Sequence, residues 1–135
     1  MAVTRQSELT GFDADAAVET ARGIVGENLL VATEFARESF HVLYLSDRLI
    51  DAWGNTDDIM DVGETVHSLT YDDFGERSRL RQVYPSVTEV FAFTTYTDRM
   101  IIVRVLTGTE GMYFSLMRGT EVTPLVEAVK AIIDD

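Results

Sequence analysis

The chain of 135 residues carries 23 acidic against 11 basic side chains, a formal net charge of -12, with 46% of its residues apolar and no cysteine. That length and apolar content suit one folded domain with its own core, and the missing cysteines exclude disulfides, thiolate metal sites and cysteine nucleophiles. The charge argues against nucleic acid as a partner, since that affinity draws on clustered Lys and Arg, and no apolar stretch approaches the roughly 20 residues that a bilayer span needs.

Residues 1–12 show no apolar period and are expected to form a flexible N-terminus, leaving 13–135 as a single domain. Asp13 is placed to cap a first helix over 14–25, whose buried face of Ala14, Ala17, Val18 and Ala21 is small enough for close approach to a sheet. From Asn28 to Ala36 the period changes to two, with Leu29, Val31, Thr33 and Phe35 on one face. After the polar link Arg37–Ser39, Phe40, Val42 and Tyr44 alternate with His41, Leu43 and Leu45. Two such runs joined by so short a link read as an antiparallel hairpin. Residues 46–53 read either as a short helix capped by Ser46 or Asp47 or as a further strand, ended in both cases by Gly54 and Asn55.

Ile59, Val62, Val66 and Leu69 recur at helical spacing behind Thr56 as cap. Thr70 and Asp73 resemble a capping box, which predicts a break and a fresh helix from about Thr70 to Gln82, closed by Pro85. The runs 87–95, 100–106 and 111–117 are β-branched and aromatic and read as three consecutive antiparallel strands. Thr123 and Pro124 then have the cap and first-turn chemistry of a last helix striped by Leu125, Val129, Ile132 and Ile133. The expected fold is therefore α+β, in the order α-β-β-α-β-β-β-α. A five-stranded, mainly antiparallel sheet would carry the terminal helices on one face and the central helices on the other face or at an edge.

That element order resembles the roadblock and profilin-like architecture over residues 13–133, which implies a small regulatory or scaffolding module that pairs through its sheet or helices. The pattern Gly26-Glu27-Asn28-Leu29, then Phe40, Val42, Leu43, Tyr44, Ser46 and Asp47, and finally Glu110-Gly111 resembles a family of short haloarchaeal proteins and implies no activity. A halophilic cytoplasm also suits the charge: ten arginines accompany a single lysine, Lys130. Molar salt cuts the Debye length to about 3 Å and relieves the repulsion among excess carboxylates.

Chemistry is thinly signposted. His41 and His67 are the only histidines, and their spacing supports no metal site; no serine sits in a nucleophile elbow and no Gly-rich loop is built to cradle phosphate. Asp47, Asp51, Asp57, Asp58 and Asp61 are dense but lack an EF-hand register. Arg77, Arg79 and Arg81, spaced two apart, do not all share one helix face and have Asp72, Asp73 and Glu76 as intrahelical partners, so they read as a solvated face. The glycines of 107–111 read as a turn that needs positive φ.

No catalytic, cofactor-binding or metal residue is assigned. The expectation is a non-catalytic interaction or regulatory module, a homodimer with a further protein partner that the sequence does not identify. Its interface candidates are Trp53, Phe91 and Ile102, and either 87–95 or 100–117 would offer a poorly guarded sheet edge. The alternative is a small-molecule-binding or enzymatic domain with a pocket between sheet and central helices, using His67, Tyr71 and Asp72.

Overall fold

Asp13 accepts a hydrogen bond from the Ala16 amide at 3.0 Å and starts α1 (Ala14–Val25), whose alanine face is fully buried. A 3-10 turn at Gly26–Asn28 leads into β2 (Leu29–Ala36), which hairpins into β3 (Phe40–Leu45). Ser46 settles the ambiguous segment as a helix, because its Oγ accepts from the Leu49 amide at 3.1 Å and opens α2 (Asp47–Trp53). The remaining elements are α3 (Thr56–Leu80), β4 (Ala92–Tyr96), β5 (Met100–Thr107), β6 (Glu110–Met117) and α4 (Thr123–Ile133), with β1 (Val3–Thr4) preceding them all. This computed structural model describes residues 2–54 and 56–134, and leaves the side chains of Trp53 and residues 56–62 outside that description.

The fold is α+β, with a six-stranded antiparallel sheet in the order β1-β3-β2-β6-β5-β4. One face carries α1 and α4, packed on each other over Leu29, Ala32, Ile101, Val103, Phe114 and Leu116. The other face carries α3, whose Phe74 and Val66 meet Phe35, Phe40, Leu106 and Tyr113, while Leu49 of α2 packs on Val42 and Leu45.

Several expectations are corrected. The sheet has six strands, not five, because Val3 and Thr4 pair with Leu45 and Tyr44; two residues are too few to show a period. Thr70 starts no new helix: its hydroxyl donates back to the His67 carbonyl at 2.7 Å, inside one unbroken α3, and Asp73 is drawn to Arg104 instead of a cap. Thr123 is the first residue of α4, not its cap; Val122 holds that position with no side-chain hydrogen bond.

The period-two faces of the first hairpin are also broken. A register shift between Leu29 and Val31 puts Leu29 under the terminal helices while Val31 and Phe35 face α3, and a second at Ala32/Thr33 puts Leu45 beside Val42, not beside Leu43. Gly108 has the positive φ expected of the turn, at 54°. Gly111 serves close approach, since a Cβ there would lie 2.6 Å from Phe35 Cζ and nearer still to the Val105 carbonyl.

Candidate functional site

Two polar clusters lie buried in the sheet. Glu34, wholly buried on the α1/α4 side, collects its donors from the N-terminal segment: the amides of Glu8 at 2.8 Å, Leu9 at 3.2 Å and Thr10 at 3.0 Å, and the hydroxyls of Ser7 and Thr10 at 2.8 and 2.7 Å. His41, beside it on β3, adds Nδ1 at 2.9 Å, with its Nε2 3.6 Å from Glu8. Burial alone would raise this carboxyl; the Glu8 amide, Thr10, His41 and Ser7 outweigh it and hold the pKa at about 2, against an ordinary 4.5. Residues 7–10, featureless in sequence, are thus laid across the sheet by one carboxylate.

On the opposite face Arg104 of β5 pairs with Asp73 of α3, with Nε–Oδ2 2.8 Å and Nη2–Oδ1 3.3 Å, and also donates to Thr95 Oγ1 at 2.6 Å. Both side chains are under a tenth exposed. Each cluster satisfies its own members and leaves no reactive group turned outward, so both read as structural.

The residues singled out in sequence do not converge. His67 packs between Phe35 and Phe40, with Nε2 2.9 Å from the Ala36 carbonyl. Tyr71 and Asp72 are exposed on α3, and neither they nor His67 line the pocket between sheet and central helices. Ile102 lies on an inner strand and is buried, so it offers no surface for a partner; of the two runs weighed as edges, the one ending in β4 is the edge. Phe91, half-buried just ahead of β4, sits under Lys130 at 4.7 Å from its ring centroid. The side chains of Trp53 and of Asp57, Asp58 and Asp61 fall outside the described residues. Among those described, no three His, Asp or Glu side chains group to hold a metal ion, and no helix is long and apolar enough to cross a membrane.

A pocket between sheet and central helices does exist, floored by Val31, Val42, Ile102 and Tyr113 and roofed by Leu49 and Val66. It encloses about 90 Å³ and is almost wholly apolar. Its phenol, Tyr113, stays neutral, since burial pushes its pKa up to about 12.

The outer edge of β4 borders solvent. The segment from Val90 to Thr97 carries no charge, and among the described residues no strand lies beyond β4. The Leu106 amide donates to the Phe91 carbonyl at 2.8 Å. With Phe93 opposite Arg104 and Thr95 opposite Ile102, alternation turns the main-chain groups of Ala92, Thr94 and Tyr96 outward. Tyr96 is 66% exposed, and Tyr71, Leu80, Val83 and Tyr84 add exposed apolar surface on α3 and the segment that follows it. Sequence reasoning found two poorly guarded runs, 87–95 and 100–117, but not which of them bordered solvent, because strand order is a long-range property.

The fold is that of a small α+β domain whose open sheet is bordered by the two-residue β1 on one side and by β4 on the other. No protein-family model matches the chain, and no curated protein matches it in sequence.

Proposed function

We propose that the chain is a non-catalytic interaction or regulatory module of a haloarchaeal cytoplasm, acting as a two-fold homodimer joined through the edges of β4. The observation that carries this reading is the uncharged, unpaired β4 edge, with outward main-chain groups at Ala92, Thr94 and Tyr96, in a chain of net charge -12. An edge of this kind invites another strand, and general repulsion between copies favours a single defined contact over random association. Two antiparallel copies of β4 satisfy each other's donors and acceptors. The order β3-β2-β6-β5-β4 among the longer strands, with α1 and α4 on one face and α3 on the other, supports the roadblock-like comparison.

The apolar pocket is the basis for the competing small-molecule reading, but about 90 Å³ is well under the ~300 Å³ and upward typical of ligand sites. It is better explained as a packing gap.

Light scattering in molar KCl tests the dimer: a mass of twice 15.1 kDa is expected. Thr94→Pro removes an outward donor and leaves the hydrogen bonds to β5 intact, so it should yield a folded monomer by circular dichroism. A wild-type mass of one chain at every concentration overturns the dimer, and a folded Thr94→Pro variant that still dimerises overturns the β4 contact.

A further inference from the structure

With acidic residues outnumbering basic ones by 23 to 11, an arginine in this chain has an ample supply of carboxylates, and among the described residues Arg79, Arg99 and Arg104 take one. Arg104 holds Asp73, Arg79 holds Glu76 at 2.9 Å, and Lys130 holds both Glu89 and Asp134. These pairings consume Asp73 and Glu76, two of the three acidic residues that the sequence offered as partners for the basic run at 77–81. Arg37, Arg77 and Arg81 have no ion pair among the described residues, and they are brought together.

Arg77 stands on the last turn of α3 and Arg81 just past its end, four residues on, with the Arg81 amide donating to the Arg77 carbonyl at 3.2 Å. Arg37 reaches them from the β2–β3 turn, across 40 positions of sequence. The guanidinium carbons of Arg77 and Arg37 lie 5.1 and 5.6 Å from the centroid of one ring, Phe74. Arg77 Nη2 donates to the Gly108 carbonyl at 2.5 Å, which fixes its head against the β5–β6 turn. The convergence works against itself: burial first, then the charges of Arg37 and Arg81, depress the pKa of Arg77, and Glu89 only partly compensates.

Beside this cluster lies a polar cleft of about 250 Å³, lined by Arg77, Ser78, Arg81, Glu89, Thr107 and Gly108. Its one carboxylate, Glu89, is engaged by Lys130 Nζ at 3.2 Å, and the Thr107 hydroxyl leans toward Asp134 at 3.4 Å. Two arginines lining a polar cleft and a third beside them on Phe74, in a protein with carboxylates to spare, are compensated best by an anion from outside the chain.

We propose that the cleft lined by Arg77 and Arg81, with Arg37 held beside it over the Phe74 ring, binds the phosphate group of a small phosphorylated molecule. Guanidinium forks match phosphate oxygens, and arms arriving from two elements suit a tetrahedral anion with oxygens on several sides. A volume of about 250 Å³ exceeds the ~30 Å³ share of one water several-fold, leaving room for a substituent on the phosphate beside the Ser78 hydroxyl. The site lies between the end of α3 and the β5–β6 turn, and the proposal does not rest on pairing through β4.

The test is an NMR titration of the side-chain Nε–Hε signals of the arginines with potassium phosphate, at constant ionic strength set with KCl. A parallel titration uses potassium acetate. Saturable shifts confined to Arg37, Arg77 and Arg81, present with phosphate and absent with acetate, are expected. Arg81→Gln and Arg37→Gln, both exposed side chains away from the core, should each weaken phosphate binding about tenfold, the loss of one charge-assisted contact. Arg79→Gln, which removes a cation paired to Glu76, should leave it unchanged. Linear shifts without saturation, equal shifts with acetate, or binding that survives Arg37→Gln/Arg81→Gln overturns the site.

Discussion

A single side chain, Glu34, decides how residues 7–10 are placed. Its carboxylate takes three consecutive amides and two hydroxyls of residues 7–10, and hydrogen bonds to a charged acceptor are among the stronger kinds. The folded pKa of about 2 lies below the ordinary 4.5, so the stability this group contributes is fully present above pH 4.5 and is lost as pH falls toward 2. The shift corresponds to about 3 kcal/mol. Denaturant unfolding in molar salt should show this loss between pH 5 and 2. Glu34→Gln should be less stable at pH 7 and should have a shallower acid dependence. Parallel pH profiles for the two proteins would remove Glu34 from the account.

At the scale of elements, the buried Asp73–Arg104 pair clamps α3 to β5. A buried pair adds little over apolar groups of the same shape, but breaking one side leaves an uncompensated charge. Asp73→Ala should therefore destabilise the protein by about 3–5 kcal/mol, and Asp73→Leu with Arg104→Met should recover most of it. Chemical denaturation measures both, and hydrogen exchange along α3 locates the loosening. An Asp73→Ala variant as stable as wild type would mean that the pair is not a clamp. The same pair explains why α3 is unbroken: Asp73 is bound across the layer to β5 and does not turn back to cap a new helix at Thr70.

For the whole molecule the dominant quantity is the net charge of -12. Self-repulsion on that scale opposes the compact state in dilute buffer and is screened in molar salt. The melting temperature should rise between dilute buffer and molar KCl; a relief of ~2 kcal/mol corresponds to about 6–12 °C for a domain of this size. Circular dichroism or calorimetry checks it, and an unchanged melting temperature would overturn the salt-adapted reading. Screening also bears on the β4 edge, since two copies of so acidic a chain approach each other readily only when salt shortens the range of their repulsion.

Local chemistry was legible in the sequence. The Asp13 cap, the α1 stripe, the three tight hairpins and the terminal α4 all rest on contacts between residues a few positions apart, and each is written in period, turn length or cap. The α+β class followed from their order. What the tertiary structure alone decided involves partners far apart in the chain. These are the addition of β1, the register shifts that redistribute Leu29 and Leu45, the burial of Ile102 on an inner strand with β4 outermost, and the meeting of Arg37 with Arg77 and Arg81. A run of residues records its own periodicity, but not which other run it will lie beside, and each of these features depends on that neighbour.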